Sequence, residues 1–524
     1  MSPAAIAPAP PLHVTMPNLD FKALAPMLIL FGAASIGLLV EAFVPRRARH
    51  WVQLLLSLAA LIAALVAVIA IARSGVRNLT AAVAVAVDGP TLFLQGTLAA
   101  LGIVAILLVA ERSVERGGAF VAQAAIPVGG EADRRQVRSA GATEVFPLTL
   151  FALSGMMLFV SANDLLTMFV GLEVFSLPLY LLCAMARRRR LVSQEAALKY
   201  FLLGAYASAF FVFGMALLYG FAGNVTFAAI HAAVLGATTS PILLYAGIAL
   251  VSVALLFKIA AVPFHVWTPD VYQGAPTPVT ALMSACTKVA AFGGLLRVVY
   301  VAFERATWDI QPIFAVLAII TMLVGAVLAV TQTDIKRLLA YSSIANAGYL
   351  LVGVIAFNQQ GLQTSMFYLV AYGFTIIAAF AVVTLVRDED GEATHLSRWA
   401  GLARRSPLLG GVFTFLLLAF AGIPLTSGFT SKFGVFAAAL GNGGGWQIAA
   451  VIAGVVTSVV LAFPYLRVVV LMWLSEPGEQ SPSIAIPGAF TSAAVAVGVL
   501  ATLALGVFPG PVLDLAQNAA TFIR

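Results

Sequence analysis

Leu255–Lys288 reads LLFKIAAVPFHVWTPDVYQGAPTPVTALMSACTK, two apolar runs around a proline-rich interruption, each run carrying one lysine. A lysine at the centre of a membrane helix costs about 2.5–3.5 kcal/mol even on the mildest scale, so Lys258 and Lys288 each need a partner, water or a task. Pro263 removes a backbone donor and frees carbonyls that lipid cannot satisfy but a wet, protein-lined cavity can. His265, in the interruption, titrates near neutrality in water. Such a stretch predicts a discontinuous membrane helix on a path that moves protons.

The rest of the chain has the composition of a membrane protein. Its 524 residues are 61% hydrophobic and 10% charged, with a mean hydropathy of +1.02. Soluble proteins carry about 25% charged residues. The formal charge of +7 suits anionic lipid at the cytoplasmic surface better than nucleic acid. Cys183 and Cys286 both lie in apolar runs, and no CxxC or zinc-like spacing occurs, so neither an iron–sulfur cluster nor a zinc site is expected. No GxGxxG stands between a strand and a helix, which removes that device for binding a dinucleotide.

Since about twenty apolar residues cross the hydrocarbon layer, the pattern predicts an all-α polytopic membrane protein of about fourteen spans. They centre roughly on residues 33, 62, 100, 153, 174, 209, 252, 288, 318, 346, 375, 422, 459 and 497. Ala23 to Val44 is read as the first span rather than a cleaved signal, after a mobile lead-in over residues 1–20. Arginine clusters at Arg46–Arg49, Arg112–Arg138, Arg187–Arg190 and Arg387–Arg405, with Lys336 and Arg337, all fall after odd-numbered spans. That side is the cytoplasm by the positive-inside rule, which sends both termini outward. The hydrophilic stretch from Glu111 to Glu144 reads as a flexible cytoplasmic loop closing a first block, 21–144. A second proline break, GIPLTSGFTSK around Lys432, comes five spans after the first. Two interrupted helices in matching positions predict an inverted five-helix repeat, 145–303 and 309–475, followed by a last span, 484–509.

Only six lysines occur, and four of them (Lys199, Lys258, Lys288 and Lys432) lie inside apolar spans, whereas arginine keeps mostly to loops. An amine that burial can discharge is able to load and release a proton; guanidinium is not. Glu173, mid-span in MFVGLEVFSLPLY, requires a cation partner, and Lys199 in the next span is the expected one. His265 follows Lys258 by seven residues, which shares a helical face if the break preserves register. Tyr341, Ser342, Ser343 and Asn346 offer polar lining, although helix packing explains them equally well. Glu41 is expected at lipid headgroups or a neighbouring subunit, and Arg297 and His231 at the interface.

On these residues the chain resembles the subunit N family of bacterial NADH-quinone oxidoreductase (respiratory complex I), one of its antiporter-like membrane subunits. The resemblance rests on GLEVFSLPLYLL, EAALKYFLLGAYASAF, FKIAAVPFHVWTPDVYQGAPTPVTALMS, DIKRLLAYSSIANAGYLLVG and GIPLTSGFTSKFGVF, and is strong over roughly residues 145–475. It implies a proton-translocating subunit in the cell inner membrane, with Glu173 and Lys199 as a charged pair tuning a central carrier, Lys258. His265 and Lys288 would continue the relay, and Lys432 would lead to the outer exit. It implies no cofactor on this chain. FMN, iron–sulfur clusters and the quinone site would belong to partner subunits, reached through the other membrane subunits and the peripheral NADH-oxidising arm. Competing readings are a subunit of a multisubunit Na⁺/H⁺ antiporter or membrane-bound hydrogenase, or a membrane scaffold without transport.

Overall fold

The computed structural model describes residues 19–115, 117–121, 126, 130–131, 141–235, 241–388, 391–441, 443–477 and 482–523. The lead-in up to residue 18, and Gly129, Arg134, Arg135 and Arg138 of the hydrophilic stretch, lie outside them. Long apolar runs leave backbone groups no partner but one another, so they fold as helices. These are α1 Phe21–Phe43, α2 Arg46–Ser74, α3 Gly89–Ala110, α4 Val145–Ser161, α5 Leu165–Cys183 and α6 Arg190–Ala222. The first broken helix comprises α7 Ile242–Ile259 and α8 Trp267–Gly274, and α9 spans Thr277–Ala302. Then come α10 Thr307–Thr331, α11 Ile335–Val354, α12 Gln359–Leu385, the second broken pair α13 Pro407–Ala421 and α14 Ser427–Leu440, and α15 Gly445–Leu474. α16 Ala489–Val507 and the short α17 Gly510–Ala519 end the chain.

Among the described residues, eleven helices are long and apolar enough to cross a bilayer. The other expected spans fall on the shorter apolar α4, on α11 with its hydroxyls and basic start, and on α13 with α14. About fourteen crossings are therefore consistent with this fold. α9 is the innermost helix, buried from Thr277 to Val299. Gly293 and Gly294 let it approach α4, where an added Cβ would meet Val160 and Phe159 below 3.0 Å.

Both breaks have a stated local cause. At the first, Ala260 takes a left-handed conformation (φ 64°) and ends α7, and Pro263 cannot continue the helical ladder. The Trp267 indole donates to the Phe257 carbonyl at 3.0 Å, and Thr321 Oγ1 accepts from the Val262 amide. At the second, Gly422 (φ 86°) ends α13; Pro424 and the left-handed Leu425 follow before α14 begins. The freed carbonyls of Phe420 and Ala421 accept from the Lys432 ammonium at 3.0 and 3.2 Å.

The described part of the hydrophilic stretch is folded, not loose. Arg187 donates to the carbonyls of Gly117 and Gly118, Phe120 is buried, and the Val121 amide donates to the Met185 carbonyl. Glu115 pairs with Arg188 and Arg387, stitching together the loops that follow α5 and α12. Arg387 also lies in a small antiparallel sheet, β3 Val386–Asp388 between β4 Gly391–Glu392 and β5 Ser483–Ile484; the other sheet pairs β1 Asn78–Thr80 with β2 Val85–Val87. Glu41 also faces inward: its carboxylate accepts from Gln53 and Thr143 and pairs with Arg49.

Glu111 links this stretch to the last span by accepting from the Thr491 amide and hydroxyl in the first turn of α16. Burial works against its charge, but the hydrogen bonds from Ser113 and Thr491 together outweigh that and hold the carboxyl below the usual range. A depressed carboxylate stabilises the fold above its unfolded pKa and loses that contribution as the pH falls through the folded value. Glu111→Gln should lower thermal stability at neutral pH by about 1–2 kcal/mol. The gap to the parent should close below about pH 4, as read from melting curves of the purified assembly at several pH values.

Candidate functional site

Three of the buried lysines lie at irregularities in the helices. Lys258 is two residues before the break that ends α7 and is buried. Its ammonium donates to Ser176 Oγ on α5 at 2.7 Å, and Ser176 in turn donates to the Leu172 carbonyl. Lys288 follows a π-helical turn, Met283–Thr287, within α9; such turns are frequent at functional sites because they displace a residue from the regular ladder. Its ammonium donates to the carbonyl and hydroxyl of Ser343 on α11, at 2.5 and 2.7 Å. Lys432 closes the second break on the carbonyls of α13. Lys258 therefore precedes its break and Lys432 follows its own.

α11 stands between Lys288 and Lys432 and presents the hydroxyl run that the sequence left open between lining and packing. Ser343 holds Lys288, and Ser342 Oγ lies 2.5 Å from the Tyr465 hydroxyl. Asn346 donates to the Ser342 carbonyl and accepts from Tyr368 at 2.6 Å. Asn346 and Tyr368 also line a narrow cavity with Ser427, Ser431 and Lys432.

Two expectations need correction. Glu173 does not pair with Lys199. Glu173 accepts from Ser208 Oγ at 2.5 Å, whereas Lys199 binds Glu195 and Asp270, both at 2.7 Å. Lys199 and Ser208 are nine residues apart on α6, two and a half turns, so they occupy opposite faces and different depths. Glu173 stands one turn before Ser176 on α5, and Ser176 is the residue that accepts from Lys258. Nor does His265 share a helical face with Lys258. Residues 260–266 are not helical, so a seven-residue spacing carries no register across them. His265 is half-buried at the outer surface of the break, beside Val266, which is 64% exposed.

Three charged groups escaped the sequence reading. Asp270 binds Lys199 and Arg337 together, joining α8 to α6 and α11; its place in WTPDVYQ is the signal that was available. Lys336, counted among the loop charges, is buried and donates to the Ala275 carbonyl and Thr277 Oγ1. Arg297, expected at the interface, is fully buried with Asp88 at 2.7 Å. Among the described residues no group of three or more His, Cys, Asp or Glu side chains converges as metal ligands do.

A site of this kind fits transfer of protons between amines through hydroxyls. The model of the family described as NADH:quinone oxidoreductase/Mrp antiporter, TM, matches residues 162–460. The chain is 67% identical to NADH-quinone oxidoreductase subunit N of Salinispora arenicola, over 98% of this chain and 100% of that one. It is 58% identical to subunit N of Rhodococcus opacus, over 98% of each. Among solved structures, a chain of respiratory complex I from Thermus thermophilus with bound aureothin superposes with a TM-score of 0.74 at 35% identity, covering 94% of this chain and 99% of that one. A chain of the Mrp complex from a Dietzia species shares the fold, with a TM-score of 0.78 at 24% identity over 96% and 97% of the two chains. With most of its length aligned to these relatives, the chain belongs to the subunit N family of NADH-quinone oxidoreductase, the antiporter-like membrane subunits of respiratory complex I.

Proposed function

We propose that this chain carries protons across the membrane along Lys258, Lys288 and Lys432, with Glu173 acting on Lys258, while electrons pass from NADH to quinone on partner subunits. One observation carries the reading: each of these buried amines is hydrogen-bonded to a serine or a backbone carbonyl, not to a carboxylate. A buried ammonium without a counter-ion is costly to hold charged in a low-dielectric interior. Neutral oxygen partners tolerate both protonation states, so an amine beside them can give up its proton without stranding a carboxylate. Lys199, paired with Glu195 and Asp270, and His265, at the surface of the first break, stand at the margins of this path. The two breaks divide 145–303 and 309–475 into matching five-helix blocks, in keeping with an inverted repeat. The arginine-rich loops face the cytoplasm and both termini face outward. FMN and the iron–sulfur clusters belong to other subunits.

The test is Lys288→Ala in membrane vesicles, with NADH-to-quinone electron transfer and proton uptake followed in parallel. Both should fall together, about tenfold or more, while the complex stays assembled. Intact NADH oxidation with loss of sodium-driven proton exchange would instead mark an antiporter. No change in either would make Lys288 a structural residue.

A further inference from the structure

Lys258 has no carboxylate against its ammonium, but it does have aromatic rings. Its Nζ lies 5.2 Å from the ring centre of Phe175, 5.6 Å from Tyr180, 5.4 Å from Tyr200 and 5.8 Å from Phe257. A cation within about 6 Å of a ring face is attracted by the ring quadrupole, most strongly where water is excluded. Lys288 and Lys432 have one such ring each, Tyr372 and Tyr349. Four rings around one amine is a cage.

The cage is built with care for its geometry. Tyr180 meets Tyr200 edge to face, with centroids 4.7 Å apart. Tyr200 stacks on Trp267 at 4.7 Å, and Trp267 leans on Phe257 at 5.4 Å. Trp267 is the first residue of α8, so the far side of the break forms the outer wall of the cage. Gly204 on α6 leaves room for Tyr180, since a Cβ there would lie 2.0 Å from the Tyr180 hydroxyl. The Tyr200 hydroxyl is buried and makes no hydrogen bond among the described residues, whereas the Tyr180 hydroxyl faces Ser176, the acceptor of Lys258. Hydrogen bonding therefore does not account for the place of Tyr200, whereas its ring face does.

We infer that Phe175, Tyr180, Tyr200 and Phe257 are positioning residues that hold the ammonium form of Lys258, to which no carboxylate bonds directly. This rests on the reading of Lys258 as a proton carrier. The cage supplies an attraction that does not itself ionise, so the amine is stabilised when charged yet leaves no stranded anion when it discharges. The other groups facing Lys258 are few. α5 presents Glu173, Ser176 and Tyr180; α6 presents Tyr200, with neighbouring Lys199 occupied by Glu195 and Asp270. α8 presents the Trp267 indole, its Asp270 being held by Lys199 and Arg337. On α9, Lys288 is turned to Ser343.

The experiment is the pH profile of NADH-driven proton pumping by the assembled complex in vesicles, for Tyr200→Leu, Tyr200→Phe and Lys258→Ala. Loss of a ring makes the ammonium harder to hold, so the limb governed by Lys258 should move to lower pH in Tyr200→Leu, by about one unit. Tyr200→Phe, which retains the ring, should restore the parent profile. Stepwise fluorination of phenylalanine placed at position 175 or 200 weakens the ring face with little change of shape, and should move the limb in proportion to the number of fluorines. It keeps the test open if the leucine variant fails to assemble. Superimposable profiles across the fluorinated series would overturn the cage, as would a shift in Tyr200→Phe equal to that in Tyr200→Leu. Normal pumping in Lys258→Ala would instead remove the carrier reading beneath it.

Discussion

Arg297→Leu is expected to abolish assembly of the subunit into the membrane complex. Both partners of the Arg297–Asp88 pair have fully buried side chains, with Nη2 at 2.7 Å from Asp88 Oδ1. Arg297 also donates to Thr91 Oγ1 at 2.6 Å and to the Val160 carbonyl at 3.1 Å, and its guanidinium lies 4.8 Å from the Phe522 ring centre. Asp88 in addition caps α3 through the Thr91 amide and accepts from the Ile523 amide at 3.1 Å. The pair thus fastens α3, α4, α9 and the chain's last described residues to one another. Removing the guanidinium leaves a carboxylate buried without its cation, a loss of about 3–5 kcal/mol from a total stability of about 5–15 kcal/mol. The amount of assembled complex on a native gel reads the effect, and a normal amount would overturn the argument. Asp88→Asn added to Arg297→Leu should recover part of the complex, because it removes the stranded charge while an amide oxygen can still cap α3.

The second large effect is functional. Lys258→Ala should leave the complex assembled but lower coupled NADH-to-quinone turnover and proton pumping together by more than tenfold, corresponding to at least about 1.4 kcal/mol on the barrier. No neighbouring amine can replace it: Lys288 is held on Ser343, and Lys199 lies on the far face of α6 with two carboxylates. The fold should survive because Ser176 retains the Leu172 carbonyl as its own acceptor, and the break is satisfied by Trp267 and Thr321 rather than by Lys258. Electron transfer from NADH to an artificial acceptor, which bypasses the membrane subunits, serves as the assembly control. Pumping and turnover at parental rates would show that the amine is dispensable.

Membership of the family accounts for the gross design. The chain is one membrane subunit of a larger NADH-quinone oxidoreductase, acting beside other membrane subunits. Within that design the structure changes where charge is handled. Glu173 accepts from Ser208, whereas Lys199 is tied by Asp270 to Arg337, so α6, α8 and α11 share one network of charges at the margin of the proposed path. The hydrophilic stretch after α3 has a comparable binding role. Through Glu115 it joins arginines from two distant loops, and through Glu111 it caps the last span.

From the sequence alone came the membrane class, the run of helices, both proline breaks and three of the buried amines, Lys258, Lys288 and Lys432. Each is local: a helix across lipid follows from about twenty apolar residues, and the cost of a charge within one can be read without knowing its neighbours. Partnership was not local. Glu173 and Lys199 are close in the chain, yet depth and helical face separate them, and that depends on how far each helix extends before it turns. Arg297 lies near the end of an apolar run, where snorkelling to the interface is the natural expectation. Only the tertiary structure brings Asp88, more than two hundred residues earlier, against it. The rings around Lys258 come from three helices, and their sequence neighbours look like ordinary apolar lining; a cage exists only once α5, α6 and α7 are packed. Composition and period state what a segment must bury, while the position of one helix against another decides which buried groups meet.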